Sequence, residues 1–187
     1  MKRLEQAHGL LTPYEGVRHK DWDNTKAIPA PLCLHETRIK VEWVDYNKHL
    51  SESCYLLVFG DHSDAFFRYI GIDENYRESG FSIYTVESHI QYIKEVLYDE
   101  PIRVTCQVLD VDSKRIHLMQ AMYNQETNAL LATVEQMLCH VDMFKAKAAP
   151  FPQHIYERLQ RIHAAHASLL PPKPIGRPIG IRRKQLT

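Results

Sequence analysis

The chain has 187 residues, 44% of them hydrophobic, and its 23 Lys and Arg balance 23 Asp and Glu to zero formal net charge. That balance excludes the basic excess of a dedicated nucleic-acid binder and the net charge of an acidic disordered chain, and the length suits one ordinary domain with appendages. The zero is a sum of unlike parts. Lys173, Arg177, Arg182, Arg183 and Lys184 lie in residues 171–187 without an acid, so residues 1–170 hold 18 basic against 23 acidic side chains. Cysteines 33, 54, 106 and 139 form no CxxC pair, so reduced thiols in an intracellular protein are expected rather than a disulfide framework or a zinc cage. The first residues lack an apolar signal core and nowhere do 18 apolar residues run together, so a soluble, cytoplasmic chain without a membrane partner is expected.

Residues 1–35 mix charges without a sustained period and carry Pro29 and Pro31, which reads as an extended arm lying on a domain. From 37 to 44, Ile39, Val41 and Trp43 alternate with Arg38, Lys40 and Glu42, the pattern of a half-buried strand. A polar turn then leads to SESCYLLVFGDHSDAFFRYI, residues 51–70, with Ser51 as N-cap and apolar residues on nearly every side. A helix of that length spans ~30 Å, and one that is apolar all round must be wrapped by other structure. Asp64 and Arg68 are spaced for a solvated i,i+4 salt bridge on it.

Four strand-like runs follow at 82–93, 101–111, 115–124 and 129–142. With the first strand they give an α+β hot-dog fold, a curved five-stranded antiparallel sheet wrapped around one long helix. In the run at 82–93, Tyr84, Val86, Ile90 and Tyr92 fall on one face and Thr85, Glu87, His89 and Gln91 on the other. Residues 152–169 form an amphipathic helix, with Ile155, Leu159, Ile162 and Leu169 as its stripe, expected to dock outside the sheet. The chain thus divides into an arm (1–35), a hot-dog domain (36–142), a linker with the C-terminal helix (143–170) and a basic Pro/Gly-rich tail (171–187).

GxSxG, GxGxxG and Walker motifs are absent, and His163 and His166 lack neighbouring ligands in sequence, so no metal site is expected. The informative segment is WVDYNKHLSESCY, residues 43–55, where Asp45, Asn47 and His49 crowd between a strand end and the start of the wrapped helix. A helix N-terminus offers N–H donors to an oxyanion, and a carboxylate beside it can serve as base or nucleophile. The same residue types are also ordinary turn formers and Ser51 an ordinary cap.

DYNKHLSESCY resembles the signature of hot-dog thioesterases, an Asp-x-Asn-x-His or Asp-x-x-Gly-His run followed by a Tyr that opens the central helix. Asp45 and Asn47 fall on the Asp and Asn of the plant acyl-carrier-protein thioesterases, and Asp45 on the catalytic Asp of the 4-hydroxybenzoyl-CoA thioesterases. The similarity is more specific to the betainyl-CoA thioesterases associated with carnitine dehydrogenase. Those share a Glu-Trp-x-Asp-Tyr-Asn-x-His run, a Glu at Glu52, a stretch like Tyr55–Asp61 and one like Thr85–Ile90. The resemblance covers residues 36–142. Two departures stand out: Lys48 replaces the usual Gly, and Ser51-Glu52 replaces the commoner Asn-Asn.

The resemblance implies an acyl-CoA thioesterase, most specifically one that hydrolyses betainyl-CoA to glycine betaine in carnitine breakdown, with CoA thioester as substrate and no cofactor. A broad-specificity thioesterase and a non-catalytic acyl-CoA-binding protein are the alternatives. It implies Asp45 as base or nucleophile, Asn47 as the group positioning water or carbonyl, and His49 as the residue orienting Asp45 or moving a proton. A quaternary ammonium group calls for aromatic walls and an acid. The candidates are Trp43, Tyr46, Tyr55, Phe59 and Tyr84 with Glu52, Asp61, Asp64 or Glu87, and His89 beside Glu87. Lys48, Lys94, Lys114 and Arg115 are candidates for the CoA phosphates, with the basic tail contributing if it folds across a neighbouring subunit. An exposed edge strand of a rolled sheet is covered by pairing between subunits, so a homodimer, or a dimer of dimers, is expected.

Overall fold

A computed structural model describes residues 12–14 and 22–181. Its elements are β1 (Leu32–Arg38), a 3-10 turn (Val41–Trp43), α1 (Glu52–Ile70), α2 (Glu74–Glu78), β2 (Phe81–Tyr92), β3 (Pro101–Val111), β4 (Arg115–Asn124), β5 (Leu130–Asp142), β6 (Lys147–Ala148) and α3 (Gln153–His166). The sheet runs β1-β3-β4-β5-β2, antiparallel throughout, with the short β6 added on β5. One face of it encloses α1 in two apolar clusters. Val58 and Phe59 of α1 meet Ile102, Val104, Met122 and Val134, while Phe66 and Ile70 meet Cys106, Val108, Ile116 and Leu138. This is the wrapped-helix, hot-dog arrangement, and full burial of such side chains contributes ~1.5–3 kcal/mol each.

The helix stops at Gly71, whose φ of +101° closes the last turn through bonds from Gly71 N–H to Arg68 and from Ile72 N–H to Phe67. A Cβ there would lie 2.5 Å from Arg158 Nη1. The backbone angle is what requires glycine here, and a side chain would in addition displace the Arg158 guanidinium from above the helix end.

Four features depart from the pattern read in the sequence. The strand expected at 37–44 lies instead at Leu32–Arg38, and its register shifts between Cys33 and His35, which hides the alternation there. Ile39 and Trp43 are buried but Val41 is 70% exposed, because the chain turns through a 3-10 helix and brings residues four apart onto one side. The second departure is in β2, where a register shift between Thr85 and Glu87 inserts an extra residue. Beyond it the parity is reversed, so Ser88, Ile90 and Tyr92 face α1, opposite Gln136, Val134 and Ala132, whereas Tyr84 shares the outer face with Glu87 and His89.

The third concerns α3. Ile155, Leu159 and Ile162 join the same cluster as Phe66 and Ile70, so this helix extends the inner core beside the end of α1 and does not dock outside the sheet. At its end His166 accepts the Val108 N–H at Nδ1 and meets the Pro29 carbonyl at Nε2, completing the β3 edge that β1 leaves uncovered. The fourth is the Asp64–Arg68 pair, which forms at 3.0 Å but is buried, with Glu74 as a second carboxylate on Arg68.

The segments flanking the sheet also have places. Trp22 packs edge-on against Tyr69 beneath Arg158 and Arg161, and Thr12 donates to Asp64. Residues 176–179 of the tail lie across the outer face of their own sheet, where the Gly176 N–H donates to the Glu135 carboxylate at 2.8 Å. Arg182, Arg183 and Lys184, named above as basic tail residues, lie outside the described residues.

Candidate active site

The turn between the 3-10 helix and α1 is built from its own main chain. Asp45 N–H donates to the His49 carbonyl, Lys48 N–H to the Asp45 carbonyl, and Ser51 N–H to the Trp43 carbonyl, while Leu50 N–H ties the loop to Val96. The Asp45 side chain completes it. Its Oδ1 accepts the N–H of Asn47 at 2.7 Å and of His49 at 3.4 Å, and among the described residues nothing bonds its Oδ2. One oxygen is thus structural and the other available. Lys48 holds φ +66°, the left-handed conformation in which glycine is most at ease.

At the start of α1, Ser51 occupies the N-cap position but makes no side-chain capping bond; its hydroxyl lies 3.4 Å from that of Ser53. The Cys54 N–H donates to the Ser51 carbonyl at 2.9 Å, which leaves the N–H groups of Glu52 and Ser53 without an acceptor among the described residues and open to an oxyanion. Glu52 in that turn complements the helix dipole.

Beside this turn is a cavity of about 450 Å³, walled by His49, Glu52 and Tyr55 on one side and by Tyr92, Lys94 and Glu95 on the other. The His49 Nε2 pairs with Glu95 at 3.3 Å. Tyr55 donates its hydroxyl to the Lys94 carbonyl at 3.3 Å, and its ring meets Tyr92 edge-on, centroids 5.1 Å apart at 75°. Burial, with the anionic neighbourhood of Tyr92, Glu95 and Glu100, pushes the Tyr55 phenol up to about 12. Burial first, then the negative charge of Glu52, raises the Tyr92 phenol as well. Both rings therefore stay neutral at physiological pH.

The candidates named from the sequence are thus sorted by place. Asp45, Asn47, Lys48 and His49 share the turn, and Glu52, Tyr55 and Lys94 join His49 around the cavity. Trp43 and Phe59 are buried in the core around α1, with Lys40 Nζ 4.8 Å from the Trp43 ring centre. Tyr46 is 93% exposed. Lys114 and Arg115 lie at the turn into β4, beside the cluster at the far end of α1, where Arg115 is held by Asp112 at 2.6 Å. Tyr84, Glu87 and His89 are on the outer face. There Glu87 and His89 line a second cavity of about 480 Å³ with His117 and Glu135 under the tail, and His117 Nε2 meets Glu135 at 2.8 Å.

Asp61 and Asp64 sit farther along α1 beside Tyr14. Burial first, then Asp64, raises the Asp61 carboxyl to about 6, against the lowering effect of Lys40. Next to them is a buried polar chain that the sequence reading missed. His62 Nδ1 lies 2.7 Å from Gln120 Oε1, and Gln120 Nε2 reaches both Ser63 Oγ and Gln136 Oε1. Two polar residues at 62 and 63 inside an apolar helix were the available signal. Tyr92 and Glu95 were missed as cavity residues because the segment after β2 meets the turn at 45–50 only through the long-range His49–Leu97 and Leu50–Val96 pairing.

Among the described residues no group of three or more His, Cys, Asp or Glu side chains is placed to hold a metal, and no helix is long and apolar enough to cross a membrane.

The family profile of the thioesterase-like superfamily matches residues 39–159. The betainyl-CoA thioesterase of Pseudomonas aeruginosa is 39% identical over 151 residues, covering 80% of this chain and 95% of that protein. An L-carnitine dehydrogenase/betainyl-CoA thioesterase of a Rhizobium species is 41% identical over 180 residues, 93% of this chain but 36% of that protein. The chain thus spans about a third of the length of such two-activity relatives. Among solved structures, a Pseudomonas putida KT2440 protein assigned to the thioesterases is 32% identical at a TM-score of 0.73, covering 84% of this chain and 100% of that one. A Staphylococcus aureus protein solved in complex with CoA shares the fold at 23% identity and a TM-score of 0.76.

Proposed function

Because the chain belongs to the thioesterase-like superfamily, we propose that it is an acyl-CoA thioesterase and that its substrate is betainyl-CoA, cleaved to glycine betaine and CoA. The observation that carries this reading is a turn in which Asp45 keeps one carboxylate oxygen unbonded among the described residues and which leads, through His49 at the wall of a tyrosine-lined cavity, into an uncapped helix start. The substrate assignment draws on the names of the relatives at about 40% identity.

The thioester carbonyl sits over the first turn of α1, whose N–H groups receive the developing oxyanion. Asp45 acts through Oδ2 while Oδ1 holds the turn. Either it takes the proton of a water that adds to the carbonyl carbon, or it attacks that carbon itself and water opens the resulting anhydride. On both routes the C–S bond breaks, the acyl group leaves as carboxylate and the sulfur leaves as thiolate, which takes up a proton. Asn47 positions water or carbonyl. His49, held by Glu95, serves the proton transfers, and Lys94 faces the CoA phosphates.

The functional unit in this reading is a cytoplasmic homodimer, with further assembly into a dimer of dimers compatible with it. β2 is the edge strand of the sheet and exposes Tyr84 and Val86, and pairing two copies along it satisfies the edge. Tyr92 ends β2, so that pairing brings the partner to the cavity mouth.

The reading is tested by thiol release over a panel of betainyl-, acetyl-, hexanoyl- and benzoyl-CoA. It expects betainyl-CoA to give the highest kcat/KM. Equal or faster hydrolysis of the neutral acyl groups would leave a broad thioesterase and remove the substrate assignment.

A further inference from the structure

We infer that Tyr92, a β2 residue, forms with Tyr55 and Glu52 the subsite that holds the cationic end of the acyl group. This rests on the proposed hydrolysis of a cationic acyl-CoA and deepens it by assigning the residues that set the preference.

A quaternary ammonium has no N–H to donate. Hydrogen bonds therefore cannot select it, and the means left are aromatic faces and a nearby negative charge. The cavity beside the helix start combines both. Tyr55 and Tyr92 stand nearly perpendicular, 5.1 Å between centroids, so their rings form two walls of a corner. Tyr55 is fixed by its hydroxyl bond to the Lys94 carbonyl and Tyr92 by its edge-on contact with the Tyr55 ring, and the Glu52 carboxylate lines the same cavity. That carboxylate puts the negative charge at the same corner, one helical turn before Tyr55.

The other aromatic candidates are placed elsewhere. Trp43 and Phe59 are packed into the core, Lys40 lies over the Trp43 ring, and Tyr84 is on the outer face. Tyr92 reaches the cavity only because the bulge between Thr85 and Glu87 turns the end of β2 toward α1. Lys94, also at the cavity, would repel a cationic acyl end, which agrees with its facing the phosphate-bearing end of the substrate.

The test compares betainyl-CoA with 3,3-dimethylbutanoyl-CoA, which has the same shape with carbon in place of the charged nitrogen. The readout is the ratio of their kcat/KM values in the full-length enzyme. The wild type is expected to favour the charged substrate at least about tenfold, and Glu52→Gln and Tyr92→Leu each to lower the ratio about tenfold, the size of one desolvated cation–π or charge contact. Tyr92→Phe keeps the ring and is expected to hold the ratio within about threefold, so it tests the inference even if the leucine variant does not fold. A wild-type preference that survives in both Glu52→Gln and Tyr92→Leu overturns the inference and leaves the substrate reading intact. A wild type without preference for the charged substrate overturns the substrate reading, and the subsite with it.

Discussion

The His62 imidazole and the Gln120 side-chain amide meet in the core at 2.7 Å, and donor counting assigns their protons. Gln120 Nε2 spends both hydrogens on Ser63 Oγ and Gln136 Oε1, so Gln120 Oε1 must accept and His62 Nδ1 must carry the hydrogen. His62 Nε2 is then a bare lone pair, buried and, like His35 Nε2, without a partner among the described residues. Burial pushes His62 down to about 3 and His35 to about 4.

A pH dependence of stability follows from these two neutral histidines. In the unfolded chain they take up protons near pH 6.5 and in the folded chain only near 3 to 4, so their contribution is complete above about 6.5 and is lost as pH falls toward 4. Asp61 acts oppositely, since its raised carboxyl favours the folded state at low pH and loses that contribution as pH rises through about 6. Two histidines outweigh one aspartate, so Tm is expected to fall by several degrees between pH 7 and 4. Replacing His62 by Leu should flatten that slope while costing ~1–3 kcal/mol at pH 7 by stranding Gln120 Oε1. Equal pH slopes in thermal melts of the two proteins would contradict the assignment.

Ser51 sits at an N-cap without capping. A serine that bonds the helix start typically contributes ~1 kcal/mol, whereas this hydroxyl reaches only Ser53. Ser51→Ala is therefore expected to change unfolding stability by less than about 0.5 kcal/mol in urea titration. A loss above 1 kcal/mol would mean that the hydroxyl caps the helix, and the oxyanion donors would then be occupied.

Lys48 and Gly71 make a paired backbone prediction. Lys48 holds φ +66° in an exposed turn, so the departure from the family's glycine is a matter of strain. Lys48→Gly is expected to raise stability by about 0.5–1 kcal/mol. Gly71→Ala is expected to cost about 1–2 kcal/mol, because its φ of +101° disfavours any side chain and a Cβ would displace the Arg158 guanidinium. Denaturant unfolding reads both, and a loss of stability in Lys48→Gly or a gain in Gly71→Ala would contradict the local geometry.

Much of this fold was legible because its strong signals are local. The runs at 101–111 and 115–124 are strands with those bounds, and the all-round apolar stretch at 51–70 does lie inside a sheet. Polar turn chemistry likewise marked Asp45, Asn47 and His49, which the structure brings together in one turn. The failures share a physical origin. Ile39 and Trp43 are buried at a spacing of four, which fits alternation and a tight turn equally well. The bulge in β2 depends on pairing with β5, many residues away, and one inserted residue exchanges the faces of everything beyond it. Hence Tyr84 and Val86 left the face they were expected to share with Ile90 and Tyr92.

The central claim is that this chain hydrolyses a CoA thioester through Asp45. It is tested most directly by thiol release from betainyl-CoA, measured for the wild type beside Asp45→Asn. The amide keeps an oxygen for the Asn47 and His49 N–H groups, so the turn is retained while the basic or nucleophilic charge is lost. The account predicts rapid release by the wild type and a fall of at least about 100-fold in kcat for the variant. Release by Asp45→Asn at the wild-type rate would contradict it.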